Sequence, residues 1–176
     1  MNNAAILVPG GTIDYDERYF DRVFELLVKA PFHLCQLTLP SMIERGGGSV
    51  LNISSGAANH PKPGGRSVEG AVYGMTKAAI ERFSTGLANE MFAKKVSVNA
   101  LSPSLVVATP GQLFGSRYTQ EMLDASEPVE ALAEAAYALI RGDPTTVTGG
   151  IRYTKDVFAE FGLTATDFGM AAPTPN

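Results

Sequence analysis

Tyr73 and Lys77 stand four residues apart in Tyr73-Gly74-Met75-Thr76-Lys77, which on a helix places them on one face, a single turn from each other. An ammonium held beside a phenol favours the phenolate, pulling a tyrosine down from its unperturbed value of about 10 toward neutrality. Such a phenol can exchange a proton with an alcohol or a carbonyl oxygen. Ser54 and Ser55 close the apolar run Val50-Leu51-Asn52-Ile53, and a serine hydroxyl there can hold the same oxygen by hydrogen bond. Phenol, ammonium and hydroxyl together suit carbonyl reduction or alcohol oxidation. A serine hydrolase built on Ser55 and His60 fits poorly, because Asn52 or Ile53 stands where the leading glycine of a Gly-x-Ser-x-Gly elbow is required. One cysteine, Cys35, and two histidines, His33 and His60, exclude an internal disulfide and a Cys/His zinc cage. Cys35 reads as a small buried hydrophobe, His33 as packed or hydrogen-bonded, and His60 as solvated.

The elements that must position these groups follow from periodicity and punctuation. Asp14-Tyr15-Asp16-Glu17 has the form of a capping box, and Phe20, Val23, Phe24, Leu27 and Val28 follow at the spacing of one buried helical face. Pro31 removes one intrahelical bond while apolar character continues to Gly46-Gly47-Gly48, so residues 16–44 form one long kinked helix or two in tandem. Ser49-Val50-Leu51-Asn52-Ile53 lacks clean alternation, as expected of a strand covered on both faces. Residues 56–70 read as a loop, 72–92 as a second helix, and 96–101 as a second strand ending at Ser102-Pro103. The stretch 104–126 has the composition of a mobile segment, Pro128 opens a helix to about residue 141, a last short strand lies within 146–153, and 155–161 form a helical turn. Helices alternating with buried strands predict an α/β fold with a parallel sheet. In such sheets ligands sit at the carboxyl ends of strands, which selects Ser54-Ser55-Gly56 and Ser102-Pro103-Ser104.

Composition sets the outer limits. The chain has 176 residues, 45% hydrophobic and 18% charged, with a net charge of −4, as expected of one globular domain without a basic footprint for nucleic acid. Its longest unbroken apolar run, Ala135 to Ile140, is too short to cross a bilayer. Residues 1–5 lack the basic stretch and apolar core of an export signal, so a cytoplasmic location is expected.

Three motifs in order, Val50-Leu51-Asn52-Ile53-Ser54-Ser55, Tyr73-Gly74-Met75-Thr76-Lys77-Ala78-Ala79 and Val98-Asn99-Ala100-Leu101-Ser102-Pro103, strongly resemble the catalytic half of the short-chain dehydrogenase/reductase family. Asn2-Asn3-Ala4-Ala5, Phe20-Asp21-Arg22-Val23-Phe24 and Met42-Ile43-Glu44-Arg45-Gly46-Gly47-Gly48 extend the resemblance over residues 2 to about 153. The resemblance implies the carboxyl-terminal part of a Rossmann-like doubly wound parallel sheet lacking the first βαβ units. That partial domain would span 1–163, with a flexible tail over 164–176.

It also implies roles. Tyr73 would be the acid/base, Lys77 would lower its pKa and hold the nicotinamide ribose, and Ser55 would position the substrate oxygen, with Ser54 the second candidate. Asn2, Pro103, Ser104 and Val106 would line NAD or NADP, and Thr109 would reach its amide or phosphate end. Residues 104–126 would cover a small-molecule alcohol or carbonyl substrate, with Phe114, Tyr118 and Met122 either a lid or ordinary cover for the sheet. Homo-oligomers would form through the helices 16–44 and 72–93.

The sequence also departs from the family pattern. No Gly-x-Gly-x-x-Gly occurs, so the chain reads as entering at the family's fourth strand and leaves the choice between NAD and NADP unwritten. Leu27 stands where many members carry an asparagine of a water-mediated proton relay, Ser104 replaces a glycine, and Thr109 falls one position late. The 18-residue interval from Ser55 to Tyr73 is longer than usual, requiring the loop containing His60 to bulge. A second reading therefore stands beside the enzyme: a catalytically inactive relative serving as an interaction module or subunit fragment.

Overall fold

The computed structural model of the chain describes residues 1–64, 69–110 and 119–164. Three strands, β1 (Gly48–Ile53), β2 (Val96–Ser102) and β3 (Ile151–Tyr153), form a parallel sheet in the order β1-β2-β3. Gly48 aligns with Val96 and Ile53 with Leu101, and Ala100 to Ser102 align with Ile151 to Tyr153. On the far side of β1, Asn2 pairs in parallel with Asn52 as a one-residue bridge.

From Glu17 to Glu44 the backbone is one continuous helical run: α1 (Glu17–Phe24), a π-turn (Glu25–Lys29) and α2 (Ala30–Glu44). The Ala30 N–H reaches back five residues to the Glu25 carbonyl, immediately before Pro31, which has no N–H to offer the preceding turn. The helix is capped by Asp16, whose carboxylate accepts the Arg18 N–H at 2.9 Å, and not by Asp14, which lies in the turn before it. Downstream, α3 (Gly70–Met91) precedes β2, followed by α4 (Gln120–Asp124), α5 (Val129–Arg141) and α6 (Thr154–Phe161). Pro128 is extended and caps α5 from outside instead of forming its first residue. The last strand is shorter than the stretch expected to hold it, because the N–H groups of Thr146 and Val147 bond back to Asp143 in a turn.

Helices cover both faces of the sheet. Val50, Val96 and Val98 pack with Cys35 and Leu39 of α2 and with Leu87 and Ala88 of α3. Leu51 and Leu101 pack on the opposite face with Ala131, Ala135 and Leu139 of α5 and Val157 and Phe158 of α6. All seven residues of β2 are buried, which is why its sequence shows no strong alternation. A third cluster of Val23, Leu27 and Val72 joins α1 and the π-turn to the start of α3.

Within the expected mobile stretch 104–126, Val107 bridges Glu127 and Thr119 caps α4. Residues 111–118, with Phe114 and Tyr118, lie outside the described residues, as do 65–68 of the loop before α3 and 165–176 of the expected tail. No described helix is long and apolar enough to cross a membrane.

Candidate active site

The carboxyl ends of β1 and β2 converge with the amino-terminal turns of α3. Tyr73 is half-buried against the cluster of Val23, Leu27 and Val72. One turn on, Lys77 is 4% exposed, with its Nζ 5.5 Å from the centre of the Tyr73 ring and donating to the Ile53 carbonyl at 2.7 Å. Burial pulls the Lys77 pKa down to about 8 against a smaller opposing pull from the Glu81 carboxylate. The ammonium therefore spans the gap between the helix and the last carbonyl of β1, within electrostatic reach of the phenol ring.

The two serines separate cleanly. Ser54 is 3% exposed and its Oγ donates to Glu81 Oε1 at 2.6 Å. Ser55 is half-buried and caps a 3-10 turn (Gly56–Ala58), its Oγ accepting the Ala57 N–H at 3.2 Å. That leaves the Ser55 hydroxyl proton for another oxygen. The turn rests on α3 beside Tyr73: a Cβ added at Gly74 would stand 2.8 Å from the Ala57 carbonyl oxygen. Glycine at 74 is thus what lets the Ser55 turn approach the helix that carries Tyr73.

Asn2 lies along the outer edge of β1, its N–H donating to the Leu51 carbonyl at 2.8 Å and its carbonyl accepting from Ile53 at 3.0 Å. Its side-chain amide donates to Asn52 Oδ1, and Asn52 donates in turn to Ser84 Oγ at 2.8 Å, so the pair of asparagines ties the edge to α3. At the end of β2, Pro103, Ser104, Val106 and Thr109 form one segment. The Ser104 hydroxyl accepts the Lys155 N–H at 2.9 Å at the start of α6, and the Thr109 N–H reaches the Val107 carbonyl at 2.7 Å.

Two acidic residues escaped the sequence reading. Glu81 lies four residues past Lys77, a spacing that could have disclosed it. Glu127 is 2% exposed and gathers the β2–α4 segment: Oε2 accepts the Ser104 N–H at 3.1 Å, Oε1 accepts the Thr154 hydroxyl at 2.9 Å, and its N–H donates to the Val106 carbonyl at 2.9 Å. Burial pushes its carboxyl pKa up against the opposing effects of Thr154 and of the Ser104 and Leu105 N–H groups. Its partners are more than twenty residues away in sequence, so no local spacing signals it. His33 is exposed and bonds Gln36 at 2.9 Å, His60 is exposed, and Cys35 is buried in the core beneath α2. Among the described residues no three His, Cys, Asp or Glu side chains gather into a metal site.

This donor set suits the nicotinamide-ribose end of a dinucleotide. A nearly buried ammonium, a half-buried phenol and a hydroxyl with a proton to give lie together at the strand ends, a donor set that sugar hydroxyls and a carbonyl or alcohol oxygen would match as acceptors.

A family model described as short chain dehydrogenase matches residues 1–114. The 2-keto-3-deoxy-L-fuconate dehydrogenase of Xanthomonas campestris pv. campestris is 36% identical over 110 residues, which is 60% of this chain and 34% of that protein. Carbonyl reductase [NADPH] 2 of Sus scrofa is 33% identical over 113 residues, covering 64% of this chain and 44% of its own length. The crystal structure of a 3-ketoacyl-(acyl-carrier-protein) reductase from Brucella melitensis complexed with NADH superposes with a TM-score of 0.73 at 25% identity, over 86% of this chain and 63% of that one. The chain thus spans about a third to under a half of the two curated relatives. Family motifs, a parallel sheet covered on both faces, and a model match over more than half of the residues lead to one conclusion: this chain belongs to the short-chain dehydrogenase/reductase family.

Proposed function

We propose that the protein is an oxidoreductase that transfers a hydride between NAD or NADP and a small alcohol or carbonyl compound, with Tyr73 as the acid/base. The observation that carries this reading is the Lys77 ammonium, nearly buried and 5.5 Å from the Tyr73 ring centre at the carboxyl end of β1. The bound nicotinamide would supply or accept the hydride. Ser55 donates its hydroxyl proton to the substrate oxygen and so aims it at Tyr73. In carbonyl reduction the Tyr73 hydroxyl gives its proton to that oxygen, and the phenolate left behind is stabilised by Lys77; in alcohol oxidation the proton runs the other way. Lys77 and Tyr73 would also face the ribose of the bound cofactor, and Asn2, Pro103, Ser104, Val106 and Thr109 would border it. Leu27, apolar and buried among Val23 and Val72, can pass no proton, so none is routed through that position. Self-association through the helices over 16–44 and 72–93 belongs to the same reading.

A second reading, a non-catalytic chain that packs on another protein, is favoured by Leu27, whose buried apolar side chain offers no path for a proton beside Tyr73. Titration with NADH and NADPH, followed by assay with a panel of aldehydes and ketones, separates the two. Saturable binding of either nucleotide with turnover supports the enzyme; no binding at millimolar nucleotide supports the packing role.

A further inference from the structure

We propose that Glu81, tethered by the buried Ser54 hydroxyl one turn beyond Lys77 on the same face of α3, is a positioning residue that keeps the Lys77 ammonium charged beside Tyr73. The inference deepens the reading of Tyr73 and Lys77 as the proton-transfer pair and rests on it. Its starting point is a cation in the wrong place: an ammonium removed from water is costly unless an anion or a set of acceptors compensates it. Lys77 is 4% exposed and its one described hydrogen bond goes to a neutral acceptor, the Ile53 carbonyl, at 2.7 Å.

The groups facing Lys77 leave few ways to supply the missing charge. From the end of β1 come the Ile53 carbonyl and the Ser54 hydroxyl, both uncharged. From α1 and the π-turn, the residues packed at the start of α3 beside Tyr73 are Val23 and Leu27, which are apolar, while Asp21 and the Glu25–Lys29 ion pair lie on the exposed side. Tyr15, in the same cluster as Tyr73, gives its hydroxyl to the Val8 carbonyl at 3.1 Å. On α3 itself the facing groups are Tyr73 and Glu81. Glu81 does not close a direct ion pair with Lys77 among the described residues; its carboxylate is held instead by Ser54, 2.6 Å away. A fixed anion a turn away holds the cation charged without neutralising it or drawing it off Tyr73. This also gives Ser54 a place different from that of Ser55: one serine holds the anion, and the other faces the substrate side.

The test is the titration of Lys77 Nζ followed by heteronuclear NMR in the ligand-free chain. A wild-type midpoint of about 8 is expected, and Glu81→Gln, which keeps the size but removes the charge, is expected to move it down by about one unit. Ser54→Ala, which frees the carboxylate to swing into water, moves it in the same direction by a smaller amount, whereas Ser54→Thr leaves it in place. In turnover, Glu81→Gln shifts the alkaline fall-off to lower pH by the same interval with an unchanged KM for the carbonyl substrate; a merely structural defect would depress activity equally at every pH. A Lys77 midpoint unmoved by Glu81→Gln overturns the proposal. Should that variant fail to fold, an unmoved midpoint in Ser54→Ala does so. A shifted midpoint in a chain that turns over no carbonyl with either nucleotide leaves the Glu81 assignment standing and removes the oxidoreductase reading.

Discussion

At the scale of the residue, the decisive feature is that a lysine is almost fully buried yet touches a single described acceptor. Desolvation lowers its pKa to about 8, with Glu81 pulling the other way, so the ammonium is present at neutral pH and lost as pH rises through that value. If Tyr73 depends on that charge, carbonyl reduction falls as pH climbs past about 8, and a pH–rate profile checks it. Titration of Lys77 does not itself unfold the chain. The unfolded lysine titrates near about 10.4, so between the two values the unfolded chain binds more protons than the folded one and this group's contribution to stability grows with pH. Tyr73 and Lys77 were legible in the sequence because i,i+4 spacing alone fixes a shared helical face. The division of labour between Ser54 and Ser55 was not, since both are serines at one strand end and only the packing of α3 against β1 buries the first against Glu81.

At the scale of the element, the site depends on how closely the Gly56–Ala58 turn approaches α3. A methyl group at position 74 would lie 2.8 Å from the Ala57 carbonyl oxygen, a distance that backbone cannot tolerate unmoved. Gly74→Ala gains about 1 kcal/mol in helix propensity and loses about 1–3 kcal/mol to overpacking, so stability changes by no more than about 2 kcal/mol. The same methyl pushes the Ser55 turn away from Tyr73, and turnover falls by about tenfold or more for a misplacement on the ångström scale. Paired thermal melts and steady-state rates check this; equal activity in the variant would show that the turn does not set the geometry. The principal helices and strands were readable from apolar spacing and glycine punctuation. The π-turn was not, because i+5 bonding leaves no periodic signature in five residues, and the Asp16 cap was misplaced because Asp14 and Asp16 satisfy the same composition rule.

At the scale of the whole molecule, the helical run from Glu17 to Glu44 presents Phe32, Leu34 and Leu37 to solvent, Leu37 with 77% of its surface exposed, and Phe92 is exposed after α3. Exposed apolar side chains of this size on the helices favour association with a second copy. Sedimentation across a wide concentration range is expected to show a mass above that of one chain, and Leu37→Glu to weaken the association; a monomer at all concentrations contradicts it. The parallel sheet with helices on both faces was legible because alternating helices and doubly buried strands admit few other arrangements. The anchoring of the β2–α4 segment on Glu127 was not, since it depends on packing between distant parts of the chain. The central claim, that the phenol at position 73 moves the proton, is tested most directly by Tyr73→Phe. The account predicts that NAD(P)H still binds and that carbonyl turnover falls by about 10²–10⁴-fold. Turnover retained at the wild-type rate in that variant would contradict it.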